Sequence, residues 1–229
     1  MKRNWNNLTV LIIGAARQGL ALAHYLANHN ANVILNDSRS VEQMESVMQQ
    51  NSAYPYRWVL AEHPLELLDE IDLVSLSGGI PLDLPIVQEA IRREMEITND
   101  SQIFMEAVAC PVIGITGSAG KTTTSSLLGA MAKIALKENQ TAWVGGNIGI
   151  PLIDQVEQIH PQDIVILELS SFQLELMKVS PHIAAVTNIT PNHLDRHKTL
   201  EAYTSAKANI IVFQNKNDNT AATEVTVAA

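Results

Sequence analysis

A single cysteine, Cys110, stands among the 229 residues, so no internal disulfide and no cysteine-rich metal centre is possible, and a reducing compartment is expected. Basic charge is also scarce: 15 Lys and Arg against 24 Asp and Glu give a formal net charge of −9. That balance argues against nucleic acid or an anionic membrane as the main partner, since either selects a basic surface. No apolar run approaches the roughly 20 residues that cross a bilayer, and the apolar stretch after the N-terminal M-K-R-N-W-N-N is brief, so a cytoplasmic protein is expected. Internal repeats, low-complexity segments and long linkers are missing too. What is present is 46% apolar content, ample for the core of one large or two small domains.

Strand-like and helix-like patterns alternate along the chain. Residues 8–13 read as a strand, 20–28 as a helix and 32–35 as a second strand, a βαβ opening. Residues 71–76 are a further strand, ending at Ser77-Gly78-Gly79-Ile80-Pro81, and 84–94 look helical. The first unit is expected to end near Phe104, with 106–111 as the boundary. Val112 then begins a second parallel series, continued by the apolar runs 164–167 and 183–186. The expected fold class is therefore α/β: a Rossmann-like parallel-sheet domain over 1–105, followed over 106–229 by an incomplete ATPase-type α/β domain with a phosphate loop.

The most specific motif is V-I-G-I-T-G-S-A-G-K-T-T-T at residues 112–124. An apolar run enters a glycine-bearing loop that ends in lysine and hydroxyls, and a helical pattern follows. Gly117 and Gly120 let backbone N–H groups of the Gly117-Ser118-Ala119-Gly120-Lys121-Thr122-Thr123 loop turn toward phosphate oxygens. Lys121 supplies a point charge, and the Thr122 hydroxyl suits the magnesium that accompanies ATP. The usual spacing asks for glycine at 115, where this chain has Ile115, so the match is T-G-x-x-G-K-T.

The first unit carries Gly14-Ala15-Ala16-Arg17-Gln18-Gly19 after its strand and Asp37 at the end of the next. This is like a dinucleotide fingerprint, except that Ala16 occupies the place of the middle glycine, where the backbone approaches a pyrophosphate. Nicotinamide chemistry, as in an oxidoreductase, fits less well than a nucleotide sugar. Asp37, Ser38 and Arg39 would read a base or ribose while Gly79 admits a diphosphate; alternatively these residues only make tight turns.

In the second unit three strands are expected to end on one edge, where ligands of open parallel sheets bind. One ends in the phosphate loop, one in Glu168-Leu169-Ser170-Ser171, and one leads through Thr187-Asn188-Ile189-Thr190 to Asn192-His193-Leu194-Asp195-Arg196-His197. Glu168 follows four apolar residues, and either a magnesium ion shared with Thr122 or a structural ion pair accounts for it. His193 is either a metal ligand or a hydrogen-bonded turn residue. Lys207 lies one turn beyond Tyr203 on a helix over 200–212, and its residue type alone suggests a solvated side chain.

Taken together, 116–123, Gly145-Gly146-Asn147-Ile148-Gly149, the L-E-L-S-S-F-Q-L-E run at 167–175, H-L-D-R-H at 193–197 and Ala206-Lys207 resemble the Mur ligase family over nearly the whole chain. The 167–175 run points to its D-glutamate-adding branch. The resemblance implies peptidoglycan-precursor synthesis, in which ATP phosphorylates the terminal carboxylate of UDP-N-acetylmuramoyl-L-alanine and D-glutamate displaces phosphate. It implies two magnesium ions. Lys121 would hold the β- and γ-phosphates, Thr122 and Glu168 the first ion, and His193 the second together with Lys207, carbamylated by carbon dioxide. Catalysis would rest on Lys121, His193 and Lys207. Asn147 and Ser170 would touch the muramoyl substrate, and Arg17, Gln18, Asp37, Ser38, Arg39, Ser77 and Gly79 the uridine diphosphate. Ala16, Gly78 and Asn192 depart from the family's commoner glycine, proline and acid. By the same resemblance a third, C-terminal domain is absent, and the sequence is expected to diverge from about Asp218, as in a truncated product. Such a chain is expected to be inactive alone, or a non-catalytic nucleotide-binding fragment.

Overall fold

The computed structural model describes residues 3–222. Two compact units divide between Asp100 and Ser101.

In the first unit, β1 (Thr9–Ile13), α1 (Arg17–Asn28), β2 (Asn32–Asp37), α2 (Val41–Gln50) and β3 (Arg57–Leu60) follow one another. A 3₁₀ turn at Leu65–Asp69, then β4 (Leu73–Leu76), α3 (Pro85–Arg92) and β5 (Glu96–Thr98) complete it. All five strands are parallel in the order β3-β2-β1-β4-β5. Central β1 is sealed on both faces, which is why it reads as an unbroken apolar run: Val10, Leu11, Ile12 and Ile13 are wholly buried. Its neighbours β2 and β4 lead away in opposite directions, so the chain order reverses beside β1. The crevice of an open parallel sheet forms at such a point.

The second unit opens with α4 (Asp100–Ala107), then β6 (Val112–Thr116), α5 (Lys121–Ala135) and β7 (Ala142–Gly146). After a 3₁₀ turn at Leu152–Gln158 come β8 (Ile164–Glu168), α6 (Ser171–Leu174), β9 (Ile183–Val186), α7 (Leu194–His197), α8 (Leu200–Val212) and β10 (Asn219–Ala222). The strand order is β10-β9-β6-β8-β7, again all parallel. With β6 between β8 and β9, the three segments that follow these strands emerge side by side at one sheet edge.

Three differences from the sequence expectation have physical causes. The division falls after the first residue of α4 rather than at 106–111, because the rest of α4 is tied into the second unit. Gln173 Nε2 donates to Ser101 Oγ at 2.7 Å, and the Lys178 N–H donates to Gln102 Oε1 at 2.7 Å. Helix α2, unforeseen, buries only Met44 and therefore has almost no apolar stripe; a reciprocal cap between Ser40 and Gln43 starts it. Finally, the expected divergence from Asp218 does not interrupt the sheet. Asn219–Ala222 pairs in parallel with β9, Asn219 opposite Ile183 and Ala222 opposite Val186. All four residues are exposed, as on an edge strand, where backbone pairing needs no bulky side chains. The rest of the expected divergent tail, Thr223 to Ala229, lies outside the described residues.

Candidate functional site

The loop between β6 and α5 is held from behind by the segment after β9. Thr187 Oγ1 and Asn188 Nδ2 donate to the Ala119 carbonyl at 2.7 and 3.0 Å, and Asn188 accepts from the N–H groups of Ser118 and Ala119 at 2.9 Å each. Gly117 leaves no room for a side chain, since a Cβ there would stand 1.9 Å from Thr187 Oγ1. Gly120, the residue that precedes α5, turns the chain at φ +82°, a conformation costly for any other residue. Among the described residues no acceptor meets the N–H groups of Gly120, Lys121, Thr122 and Thr123. Positive helix-terminal partial charge and open donors therefore coincide, as an anion site requires. The apparent misplacement at 115 is explained by the fold: Ile115 is a wholly buried residue of β6, so the turn begins two residues later.

Around this loop five of the expected residues fall into two hydrogen-bonded clusters, one on the Gly117 carbonyl and one on Glu168. Lys121 Nζ donates to the Gly117 carbonyl at 2.8 Å, and Lys207 Nζ donates to the same oxygen at 3.0 Å and to Thr116 Oγ1 at 3.1 Å. Thr122 Oγ1 donates to Glu168 Oε2 at 2.9 Å, and Asn147 Nδ2 donates to Glu168 Oε1 at 3.0 Å. Glu168 is only 1% exposed, yet no cationic side chain pairs with it among the described residues. Lys207 is similarly enclosed, and among the described residues no carboxylate pairs with it. Burial, reinforced by the charge of Lys121, lowers its amine to about 7. The solvated lysine suggested by residue type does not occur.

These donors fit magnesium in part. Glu168 and Thr122 offer hard oxygen donors beside an anion loop, and the buried carboxylate lacks the cation that would offset its desolvation. Among the described residues there is no group of three or more His, Cys, Asp or Glu placed to hold an ion. An ion here would complete its shell with phosphate oxygens and water, the usual habit of magnesium.

His193 meets this site through rings rather than side-chain hydrogen bonds. It lies edge-on to Phe172 at 5.0 Å and 6.5 Å from the Tyr203 ring, with its backbone in the left-handed region at φ +53°. Asn192 accepts from its N–H at 2.9 Å. Ser170 caps α6: its Oγ accepts from the Gln173 N–H and donates to Gln173 Oε1 at 2.9 Å. Sequence reasoning passed over three residues that build the site. Thr116 links Lys207 to the Leu169 carbonyl, and Tyr203 meets Ser118 Oγ at 2.9 Å while its ring lies 4.8 Å from Lys207 Nζ. Buried His197 joins Ser171 Oγ at 3.0 Å. Thr116 and His197 lay inside the motifs quoted above without a role being given them, and Tyr203 was marked only by its helical spacing to Lys207.

In the first unit the turn after β1 and the segment after β4 face each other, Ser77 Oγ donating to the Gly14 carbonyl at 2.5 Å. Asp37 is fully engaged. It accepts from the Ala15 N–H at 2.8 Å and from Arg39 Nε and Nη2 at 2.8 Å each. Those hydrogen bonds, Arg39 foremost, hold its carboxyl down at about 2 against the cost of burial. Asp37 thus fixes the turn and aims Arg39. Arg17, Ser38 and Gly79 are exposed at the rim, and Gln18 is half-buried beside Gly78. No helix among the described residues is long and apolar enough to cross a membrane.

Residues 8–99 match the Mur ligase MurD-like N-terminal domain and residues 115–226 the Mur ligase middle domain. The second match runs past Asp218, so the sequence does not leave the family pattern there. A UDP-N-acetylmuramoylalanine–D-glutamate ligase of Symbiobacterium thermophilum is 42% identical over 207 residues, covering 90% of this chain and 45% of the relative. One from Ruminiclostridium cellulolyticum is 36% identical over 217 residues, 95% of this chain and 46% of its own. The chain thus spans about half the length of the curated relatives it matches. Among solved structures, a UDP-N-acetylmuramate:L-alanyl-gamma-D-glutamyl-meso-diaminopimelate ligase from Neisseria shares the fold at a TM-score of 0.59 and 17% identity, covering 95% of this chain and 72% of that one. A UDP-N-acetylmuramate-alanine ligase from Thermotoga maritima does so at 0.53 and 19%, covering 94% and 49%.

Proposed function

The chain belongs to the Mur ligase family, and from that premise we propose that it serves ATP-dependent ligation of D-glutamate to UDP-N-acetylmuramoyl-L-alanine in peptidoglycan-precursor synthesis. The observation that carries this reading is the gathering of two hydrogen-bonded clusters around one phosphate loop, Lys121 and Lys207 on the Gly117 carbonyl and Thr122 and Asn147 on Glu168. A carboxylate is a poor acyl electrophile, so the reaction takes two steps. A substrate carboxylate oxygen attacks the γ-phosphorus of ATP, the bond to ADP breaks, and an acyl phosphate forms. The amine of D-glutamate then attacks the acyl carbon, the C–N bond forms, phosphate leaves with the C–O electron pair, and the amine proton passes to water.

In this reading Lys121 turns from the Gly117 carbonyl to the β- and γ-phosphates, and the open N–H groups of Gly120 to Thr123 bind their oxygens. Thr122, which donates its hydroxyl hydrogen to Glu168, would offer its oxygen together with Glu168 to hold magnesium. Magnesium, when bound, neutralises charge on the transferring phosphoryl group. Lys207 would act as a carbamate: its buried, carboxylate-free amine adds to the carbon of carbon dioxide, loses a proton, and becomes an oxygen donor for a second ion beside His193. The uridine diphosphate would lie along the first unit's crevice, at Arg17, Gln18, Ser38, Arg39, Ser77 and Gly79, with Asp37 bracing Arg39.

Calorimetric titration with UDP-N-acetylmuramoyl-L-alanine, then with ATP and magnesium, followed by a phosphate-release assay with D-glutamate, tests the proposal. Saturable binding of both nucleotides is expected. A folded chain that binds neither would sink the assignments. Binding without D-glutamate-dependent phosphate release would mark a nucleotide-binding fragment whose catalysis needs further polypeptide.

A further inference from the structure

Glu168 is fixed by more than its own strand. Its two carboxylate oxygens each accept one hydrogen bond, from Thr122 Oγ1 at 2.9 Å and from Asn147 Nδ2 at 3.0 Å. Asn147 grips the same residue twice, because its backbone N–H also donates to the Glu168 carbonyl at 2.9 Å. The approach is so close that a Cβ at the preceding Gly146 would stand 2.3 Å from that carbonyl. A carboxylate can only accept, so the amide nitrogen of Asn147 must face Glu168 and its Oδ1 must face away. Asn147 itself is exposed, and among the described residues its Oδ1 meets no donor. The side chain thus has one end on a buried carboxylate and the other open to solvent at the ligand edge of the sheet.

We propose that Asn147 is a positioning residue for Glu168, fixing the rotation of the carboxylate that would hold the metal ion. The substrate contact expected from the family resemblance would then fall to Oδ1 alone, which accepts and cannot donate. The muramoyl group it takes must be an N–H or O–H donor. Through one amide, donor contact on the substrate side and carboxylate rotation on the metal side become mechanically linked.

This inference rests on the ligase reading, and one experiment separates their failures. Manganese(II) is titrated into the full chain saturated with ADP, followed by electron paramagnetic resonance, for the unmodified chain, Asn147→Ala and Asn147→Gln. The alanine variant keeps the backbone bond to Glu168 and removes an exposed side chain, so thermal melting and metal-free ADP affinity should be unchanged. Loss of the amide donor should weaken manganese in the ADP complex about 10-fold, as removal of an outer-shell partner does. The glutamine variant, which retains an amide, should recover part of that loss. Unaltered manganese affinity in Asn147→Ala would overturn the positioning role and leave the ligase reading standing. Equal loss of metal-free ADP binding would also overturn it, by showing a general distortion of the loop. No ADP-dependent manganese binding by the unmodified chain would overturn the ligase reading, and the inference with it.

Discussion

Two side chains carry opposite burdens of burial, and each yields a pH test. Lys207 is 2% exposed and its amine is lowered to about 7 from 10.5, chiefly by burial. Between those values the unfolded chain binds more protons than the folded one, so stability should rise with pH from about 7 to about 10.5. The slope has a ceiling of about 1.4 kcal/mol per pH unit. Urea denaturation at pH 7, 8 and 9 in carbon dioxide-free buffer should show that slope in the unmodified chain and its loss in Lys207→Met. The methionine variant should also be about 1–4 kcal/mol more stable at pH 7, as when buried charge is exchanged for apolar volume. Asp37 behaves in reverse. Its carboxyl, held down to about 2 from 3.8 by Arg39 and the Ala15 N–H, contributes stability above about pH 4 that is lost as pH falls through 2. Asp37→Asn must turn an amide N–H toward the Ala15 N–H or the Arg39 guanidinium. It should cost about 1–3 kcal/mol at neutral pH, read as a lower denaturation midpoint with an unchanged slope.

At the level of elements, the position of α5 depends on its approach to the sheet. Gly129 is buried in mid-helix, and a Cβ there would come within 2.5 Å of Val144 Cγ2 on β7. Alanine is the better helix former by about 1 kcal/mol, so an isolated helix would gain from Gly129→Ala. Packed against β7 it should instead lose about 1–3 kcal/mol, because β-branched valine has little rotameric freedom to yield. Adding Val144→Ala should return part of that loss, and a double-mutant cycle by chemical denaturation would measure the coupling. Such packing was not legible in the sequence. What was legible was whatever repeats with a period or leaves a local signature: the buried runs of β1 and β8, the apolar run of β9, and the glycine-lysine-threonine loop after β6. Helix α2 escaped because a cap and a single methionine leave no stripe, and α1 appeared to start late because Arg17 and Gln18, its first residues, are polar. Within the site, Lys121, Thr122 and Glu168 announced themselves through a motif and an acid after an apolar run. Tyr203, Thr116 and His197 are ordinary residues that only the tertiary fold brings to Ser118, Lys207 and Ser171.

On the scale of the molecule, an exposed apolar stripe among the described residues lies on α5. Its inner side buries Ser125 and Gly129, while Leu127, Met131 and Ile134 on the outer side are 60%, 63% and 87% exposed. Their spacing of four and three residues sets them in one stripe along the helix. Apolar groups scattered singly over a surface need no account, but a continuous stripe holds a standing free-energy gain for anything that covers it. The net charge of −9 opposes self-association by repulsion, and that protection weakens as salt shortens the screening length to about 8 Å at physiological ionic strength. The chain should therefore bind 8-anilinonaphthalene-1-sulfonate while fully folded and scatter more light as salt rises. Replacing Leu127, Met131 and Ile134 together with glutamine should remove most of the dye signal and the salt-induced scattering. Because all three side chains are more than half exposed, the denaturation midpoint should stay within about 0.5 kcal/mol of the original. A large fall in stability would mean instead that the stripe is covered in solution.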